Sequence, residues 1–449
     1  MVMRSDVTAA PPVPRARAGV DTAAVVSPRT GIIRQLVPFV SELLPRTTVA
    51  RLAPAARPEV LPGVPKDYGV TGFGIGTSLA EARSAAVGET VERYGSLVGA
   101  AHARVEWGTF DEFEGDAVHG ESFVLPHPKE SSWTAFDEKA PRGWVVGHDL
   151  TEDRRVLVPA QLALPSYKSR FEGEELAPWT TNGLAAHTDP SAAVLAGLRE
   201  IEERDAFTIR HLNRWTPPEI PFAGICDDVD GFVASAPRWH AMTVRAWDLT
   251  LDLGQPVVLA GVLTRSDRVP PFCFGAACRG DYPSALRKAV LEAFQISAVM
   301  SRRGYPDRAE PGPMEDLAEP EEHIRMSCLP GYRDTLDWLL DDHADWNPPD
   351  TSNTSDTSDT SAGCTTLDAA VDAVARRGMR VITVDLTPPD LRGLGWHVCK
   401  VLVPGAQPLD FGALQSRTGR RLYDLPVELG YRREPAREDE LNPAPHFFA

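Results

Sequence analysis

An α/β (α+β) fold, with mixed sheets and packed helices grouped around a cleft, is the class this sequence predicts. Three observations carry the prediction: a strand–turn–helix unit written three times, a soluble globular composition, and alternating apolar strands near the C-terminus. The repeat begins with GETVERYGS, which holds Glu89, Glu92 and Arg93, and REIEERDAF, which holds Glu200, Glu203 and Arg204 at the same spacing. Eleven residues before each first glutamate stands a helix N-cap, Ser78 or Asp189, and six residues before each cap a glycine, Gly72 or Gly183. Ser78 is followed by Glu81 at capping-box spacing, and Asp189 by Pro190 at the first helical position. FGAACRGDYPSALRKAVLEAFQISA repeats the pattern with Gly275, Asp281 and Glu292, and Gln295 replaces the second acid.

Taken in order, residues 1–26 are rich in Pro and Ala and are expected to be a disordered tail. Residues 27–449 are expected to form one domain carrying the three units. Residues 347–363, NPPDTSNTSDTSDTSAG, have nothing to bury and read as a flexible surface insertion. The segment from Asp368 to Gly405 reads as helix, strand, turn, helix and strand, with alternation in MRVITVDL and WHVCKVLV. Residues 432–449 form a C-terminal tail.

Composition narrows the function. The 449 residues are 43% hydrophobic and 24% charged, as in globular proteins. A net charge of −17 argues against nucleic acid or an anionic membrane as partner. Six cysteines without a CxxC pair indicate neither zinc nor a disulfide framework, and fit free thiols in a reducing cytoplasm. No stretch resembles a signal peptide or a membrane span.

The acids sit on defined helix faces. Ala82, Ala86 and Glu89 fall at i, i+4 and i+7, as do Ala193, Gly197 and Glu200, and Ala285, Ala289 and Glu292. A carboxylate continuing a stripe of small residues is partly buried, where an unpaired charge is costly. Glu89, Glu92, Glu200, Glu203 and Glu292 would repel one another on converging unless cations sit among them. Hard oxygen ligands in that number suit Mg²⁺, which completes its shell with water and substrate phosphates. The bland alternative is that each ExxE or ExxQ is an interhelical salt-bridge pair. No GxxxxGK[ST] occurs, and GFGIGTS lacks the third glycine of a dinucleotide loop.

SPRTGIIR, GIGTSLAEARSAAVGETVERY, TTNGLAAHTDPSAAVLAGLREIEERDAF, SALRKAVLEAFQ and the terminal GRRLYDLPVELGYRREPAREDELNPAPHFFA together resemble the YcaO family, and within it the azoline-forming cyclodehydratases. The resemblance implies a YcaO-type fold with a nucleotide cleft between the repeat units, holding ATP through Mg²⁺. Glu89, Glu92, Glu200, Glu203 and Glu292 are then metal or phosphate ligands, directly or through water. Arg93, Arg204 and Lys288 stabilise phosphate charge, while Asn182 and Gln295 orient the nucleotide. The implied reaction forms thiazoline or oxazoline from Cys, Ser or Thr of a ribosomally made precursor peptide, by phosphorylating the backbone amide oxygen. The tail places His446, Pro445 and Ala449 near the chemistry. His187, His211 and His397 are further acid–base candidates, and Cys399 reads as core.

The sequence also departs from the family pattern. Ala85 stands where a serine is usual, Ser297 where an arginine is common, and Pro443 and Pro445 are followed by His446, Phe447, Phe448 and Ala449 in place of alternating prolines. The chain before Gly72 is too short for a leader-binding module, which implies a separate leader-peptide-binding partner. A homodimer and a downstream azoline dehydrogenase are compatible with the family. The alternatives are thioamide formation, another amide-backbone activation, or a non-catalytic scaffold subunit.

Overall fold

The computed structural model describes residues 22–55, 70–126, 133–222, 224–235, 241–265, 269–302, 304, 320–327, 329, 331–341, 345–346, 366–411 and 417–448. The expected insertion at 347–363, most of the expected N-terminal tail, and Ala449 lie outside the described residues. Packing begins before residue 27: Thr22–Val25 form a 3₁₀ turn, and Val25 is completely buried.

Strands β1 (Val37–Phe39), β2 (Val49–Pro54) and β3 (Thr71–Gly76) form one sheet, from which α1 (Leu79–His102) departs. Next come β4 (Val105–Gly108), β5 (Arg142–Asp149), β6 (Arg154–Pro159), the single-turn α2 (Ala160–Ala163), β7 (Leu184–His187) and α3 (Pro190–Asn213). After α4 (Asp227–Ser235) a meander of β8 (Thr243–Asp248), β9 (Val257–Leu263) and β10 (Phe272–Cys278) leads into α5 (Tyr282–Arg302). The rest is α6 (Pro320–Ser327), α7 (Asp337–Leu340), α8 (Leu367–Arg376), β11 (Ile382–Asp385), α9 (Pro389–Gly393), β12 (His397–Leu402) and α10 (Arg420–Glu428).

The expected helix–strand alternation is therefore present, and GFGIG lies in β3 and not in a dinucleotide loop. One detail is corrected: the sheets expected as mixed are antiparallel in every named strand pair. Hairpin-like joins reverse the chain between β5 and β6 and along β8, β9 and β10, while β11 with β5 and β12 with β7 bring together segments far apart in the chain that also run in opposite directions. β4, β5, β11, β12 and β7 line up in the largest sheet, with β6 beside β5.

The three units each pack a helix against its own strand. Side-chain caps start all three helices: Ser78 accepts from Glu81 N–H at 3.1 Å, Asp189 from Ala192 N–H at 2.8 Å, and Asp281 from Ser284 N–H at 2.7 Å. The conserved-spacing glycines of β3 and β10 serve close approach. A Cβ on Gly72 would lie 2.3 Å from Ala86 O, and one on Gly275 would lie 2.5 Å from Ala293 N. α1 is buried between the β3 sheet and the β7–β12 region, where Ala86, Val87 and Val91 join Val398 and Leu184 in one core. Ala285, Ala289, Val290 and Phe294 of α5 join Val258 and Ala260 of β9 in another. Each fully buried large apolar side chain contributes roughly 1.5–3 kcal/mol, which holds the helices in the register that sets the acids.

Candidate functional site

The first acid of each unit stands within one helical turn of the close approach, and backbone N–H groups donate to Glu89, Glu200 and Glu203. Phe73 N–H donates to Glu89 Oε2 at 2.6 Å, and Gly183 N–H donates to Glu200 Oε2 at 3.1 Å. Cys278 N–H, at the end of β10, donates to Glu203 Oε2 at 3.2 Å. Thus α3 offers one acid to its own strand and another to the strand of the third unit. Arg287 of α5 reaches Glu81 and Thr77 at the start of the first unit, and also Asp228 of α4 at 2.9 Å. That contact clamps the first and third units together at the N-terminal end of α1.

Electrostatics show the convergence. Burial, then the charges of Glu200 and Glu89, hold the Glu92 carboxyl well above its ordinary range. Burial also raises Glu200, against the pull of Arg204, Lys400 and the Gly183 N–H, with Glu292 adding to the rise. Glu203 is pushed up to about 7, chiefly by burial, with Arg204 opposing and Glu292 and Glu200 reinforcing. The three helices therefore bring Glu89, Glu92, Glu200, Glu203 and Glu292 within one another's fields.

Each acid also has a cation nearby. Arg93 contacts Glu89 at 2.6 Å and donates to Thr71 O, and Lys288 lies 3.3 Å from Glu292. Arg204 is held loosely, with Nη2 3.6 Å from Glu200 and Nε 3.9 Å from Glu203. Its Nε and Nη1 are buried with no hydrogen-bond partner. Buried acids kept above their usual range and a guanidinium with unmade bonds form a site built to receive further charge. Among the described residues, no group of three or more acids, Cys or His is placed to hold a metal ion unaided. A metal here would share its shell with water and substrate phosphates.

Asn182 is buried and donates from Nδ2 to Leu409 O at 3.0 Å, while Gln295 stands half-buried on α5, three residues beyond Glu292. The tail reaches the same region. Phe448 lies under the Arg204 guanidinium, 4.6 Å from Cζ to ring centroid. Pro445 O accepts from Tyr332 OH at 2.7 Å. His446 is held on both sides: Nδ1 accepts from Phe448 N–H at 3.2 Å, and Nε2 donates to Asp410 O at 2.9 Å. It stacks on His323 at 4.1 Å, and burial drives its pKa well below the ordinary value. Neither ring nitrogen is left for a substrate proton, so this geometry anchors the tail. His211 is likewise buried, is pushed down to about 4 by burial, and holds Ala444 O at 3.1 Å. Cys399 is buried core, its thiol pushed up to about 12 by burial.

Lys400 was absent from the sequence-derived set. It lies on the buried face of β12 with Val398 and Leu402, donates to Thr180 O at 2.9 Å, and has its pKa lowered to about 8 by burial despite the nearby Glu200. The available signal was a lysine at an inward position of WHVCKVLV. Glu202, beside Gln255 and Cys278 and pushed up to about 8 by burial, was missed for the same reason, being placed on the buried face of α3.

Residues 73–407 match a family model described as YcaO cyclodehydratase, ATP- and Mg²⁺-binding. An uncharacterized protein of Methanothermobacter thermautotrophicus is 27% identical over 357 residues, which cover 78% of this chain and 84% of that protein. An uncharacterized protein in the tfuA 3′ region of Rhizobium leguminosarum bv. trifolii is 32% identical over 175 residues, 36% of this chain and 41% of its own. Among solved structures, a heterocyclase in complex with substrate and cofactor superposes with TM-score 0.70 and 22% identity over 95% of this chain and 57% of its own. The structure of YcaO from Methanopyrus kandleri bound with AMPPCP and Mg²⁺ superposes with TM-score 0.56 and 25% identity, over 83% of this chain and 86% of its own. The heterocyclase TruD, at TM-score 0.58 and 20% identity, is covered over 51% of its length. The chain thus spans little more than half of either heterocyclase. No helix among the described residues is long and apolar enough to cross a membrane.

Proposed function

Because the chain belongs to the YcaO family, whose ligands are ATP and Mg²⁺, we propose that it is an ATP-dependent cyclodehydratase acting on a ribosomally made peptide. The observation that carries this reading is the meeting of buried acids from three capped helices beside an under-bonded Arg204. ATP with Mg²⁺ fits that donor set: the acids lack sufficient cationic charge, and the guanidinium lacks acceptors.

In this reading Glu89, Glu92, Glu200, Glu203 and Glu292 hold the metal through oxygen or water, and Arg93, Arg204 and Lys288 face the phosphates. Asn182 and Gln295 orient the nucleotide. Bound ATP and Mg²⁺ supply a phosphoryl group that makes the oxygen of a peptide amide a leaving group. A Cys, Ser or Thr side chain attacks the preceding carbonyl carbon, and loss of that oxygen as phosphate leaves thiazoline or oxazoline. The protein's contribution is positioning and charge stabilisation. The Phe448 contact keeps the Arg204 plane fixed, and the tail walls the site through His446 and Pro445. A separate leader-binding protein delivers the peptide, as the complexes among its structural neighbours make natural; one such neighbour is the E. coli microcin synthetase McbBCD bound to pro-MccB17.

A scaffold reading has one observation in its favour, the ion pairs that Glu89 and Glu292 already make with Arg93 and Lys288. Calorimetry separates the two. Mg²⁺-dependent ATP binding by the wild type, weakened at least roughly tenfold in Glu200→Ala and Glu292→Gln, is expected. Absence of binding by folded wild-type protein, with Mg²⁺ present, would leave the scaffold reading standing.

A further inference from the structure

On the β12 side of α3 lies a cavity of about 100 Å³, bordered by Lys400, Arg204, Trp179, Asn182 and Asp410, with no residue of α1 or α5 in its wall. Its polar groups are unevenly satisfied. Lys400 carries three N–H donors and makes one hydrogen bond among the described residues, to Thr180 O at 2.9 Å. Arg204 Nε and Nη1 and Trp179 Nε1 are buried and make none. Asn182 Nδ2 is already committed to Leu409 O, and Asp410 is the single carboxylate in the lining among the described residues. Two cations face one carboxylate, and the donors without partners come from three separate segments: the 179–182 loop, α3 and β12.

Buried donors in that state call for an acceptor with several oxygens. We propose that this cavity binds a small tetrahedral oxyanion, the inorganic phosphate released by the reaction, with Lys400, Arg204 and Trp179 as its donors. The placement rests on the ATP-dependent reading above. Arg204 is the link between the two sites, since it borders the cavity and also approaches Glu200 and Glu203. The remaining acids that would hold the metal lie on α1 and α5, so the nucleotide and the cavity meet at Arg204 of α3 and at Asn182, which borders the cavity from the loop before β7. Phosphate formed beside Arg204 would move towards Lys400, clearing the acids for the next nucleotide.

The test is calorimetric titration of inorganic phosphate into the full chain saturated with ADP and Mg²⁺, at constant ionic strength. Wild-type protein should bind phosphate, and Lys400→Met should weaken that binding roughly tenfold or more, the worth of a charge-assisted hydrogen bond. Trp179→Phe, which removes only an N–H, should weaken it several-fold. Trp179→Phe should bind ADP with Mg²⁺ as the wild type does. Wild type that binds ADP but no phosphate, or Lys400→Met that binds phosphate normally, overturns the assignment, leaving a water-filled cavity. Loss of ADP affinity in the Trp179→Phe variant also overturns it, because the cavity would then belong to the nucleotide. Failure of the wild type to bind ADP at all overturns the ATP-dependent reading itself.

Discussion

Replacing Glu203 by glutamine should make the nucleotide-free protein more stable, and only above the acidic range. Glu203 is buried and its carboxyl is raised from 4.5 to about 7, so ionising it in the fold costs roughly 3 kcal/mol relative to the unfolded chain. A raised acid contributes stability that is fully present below its unfolded value. That contribution falls as pH rises from about 4.5 to about 7, because the fold keeps a proton which the unfolded chain has released. Glutamine has no such proton to lose, and its oxygen can still accept from Cys278 N–H, now 3.2 Å from Glu203. The attraction of Arg204 is already contained in the raised value, so it does not enlarge the expected gain. Urea unfolding followed by tryptophan fluorescence, with EDTA present, should show Glu203→Gln near wild type at about pH 5 and up to roughly 3 kcal/mol more stable at about pH 8. Mg²⁺ with ATP should narrow the gap by stabilising the wild type preferentially. A variant less stable than wild type at the higher pH, or a difference that does not change with pH, would refute the reasoning.

Two further perturbations test the frame around the site. Gly275→Ala should cost about 1–3 kcal/mol in thermal or urea unfolding, because its Cβ would meet the α5 backbone at 2.5 and 2.6 Å. Gly88→Ala, also inside a unit but with nothing within 4 Å of the added Cβ, should instead gain about 0.5–1 kcal/mol; equal effects would show that the close approach is not tight. Arg421 joins the buried Asp205 and Asp252 at 2.7 and 2.6 Å, tying α10 to α3 and to the β8–β9 connection. Arg421→Met leaves Asp205 without its cation and should cost about 3–5 kcal/mol in urea unfolding, and a loss under about 1 kcal/mol would mean that this buried network holds little.

Much of the site was legible because its signals are local. Ser78, Asp189 and Asp281 act through side chains that reach backbone three residues away, and the acids stand at fixed helical offsets from those caps. Periodicity alone therefore placed Glu89, Glu200 and Glu292 on corresponding turns. The MRVITVDL and WHVCKVLV strands were equally plain from alternation, and β11 and β12 pair directly. Sheet direction was less plain, because antiparallel pairing depends on which segments become neighbours and not on residue type.

The sequence by itself determined the three capped units, the acids they carry and the family to which the chain belongs. It could do so because capping, helical phase and strand alternation are set within a few residues along the chain. Only the tertiary structure decided what those residues meet. The tail folds back to put Phe448 on Arg204, far earlier in the chain, and to fix both nitrogens of His446, turning an acid–base candidate into an anchor. Lys400 became a functional candidate when β12 packed beside Thr180 and Glu200. Burial, charge neighbours and unmade hydrogen bonds are properties of the packed surroundings, and they exist only once distant segments have closed around a group.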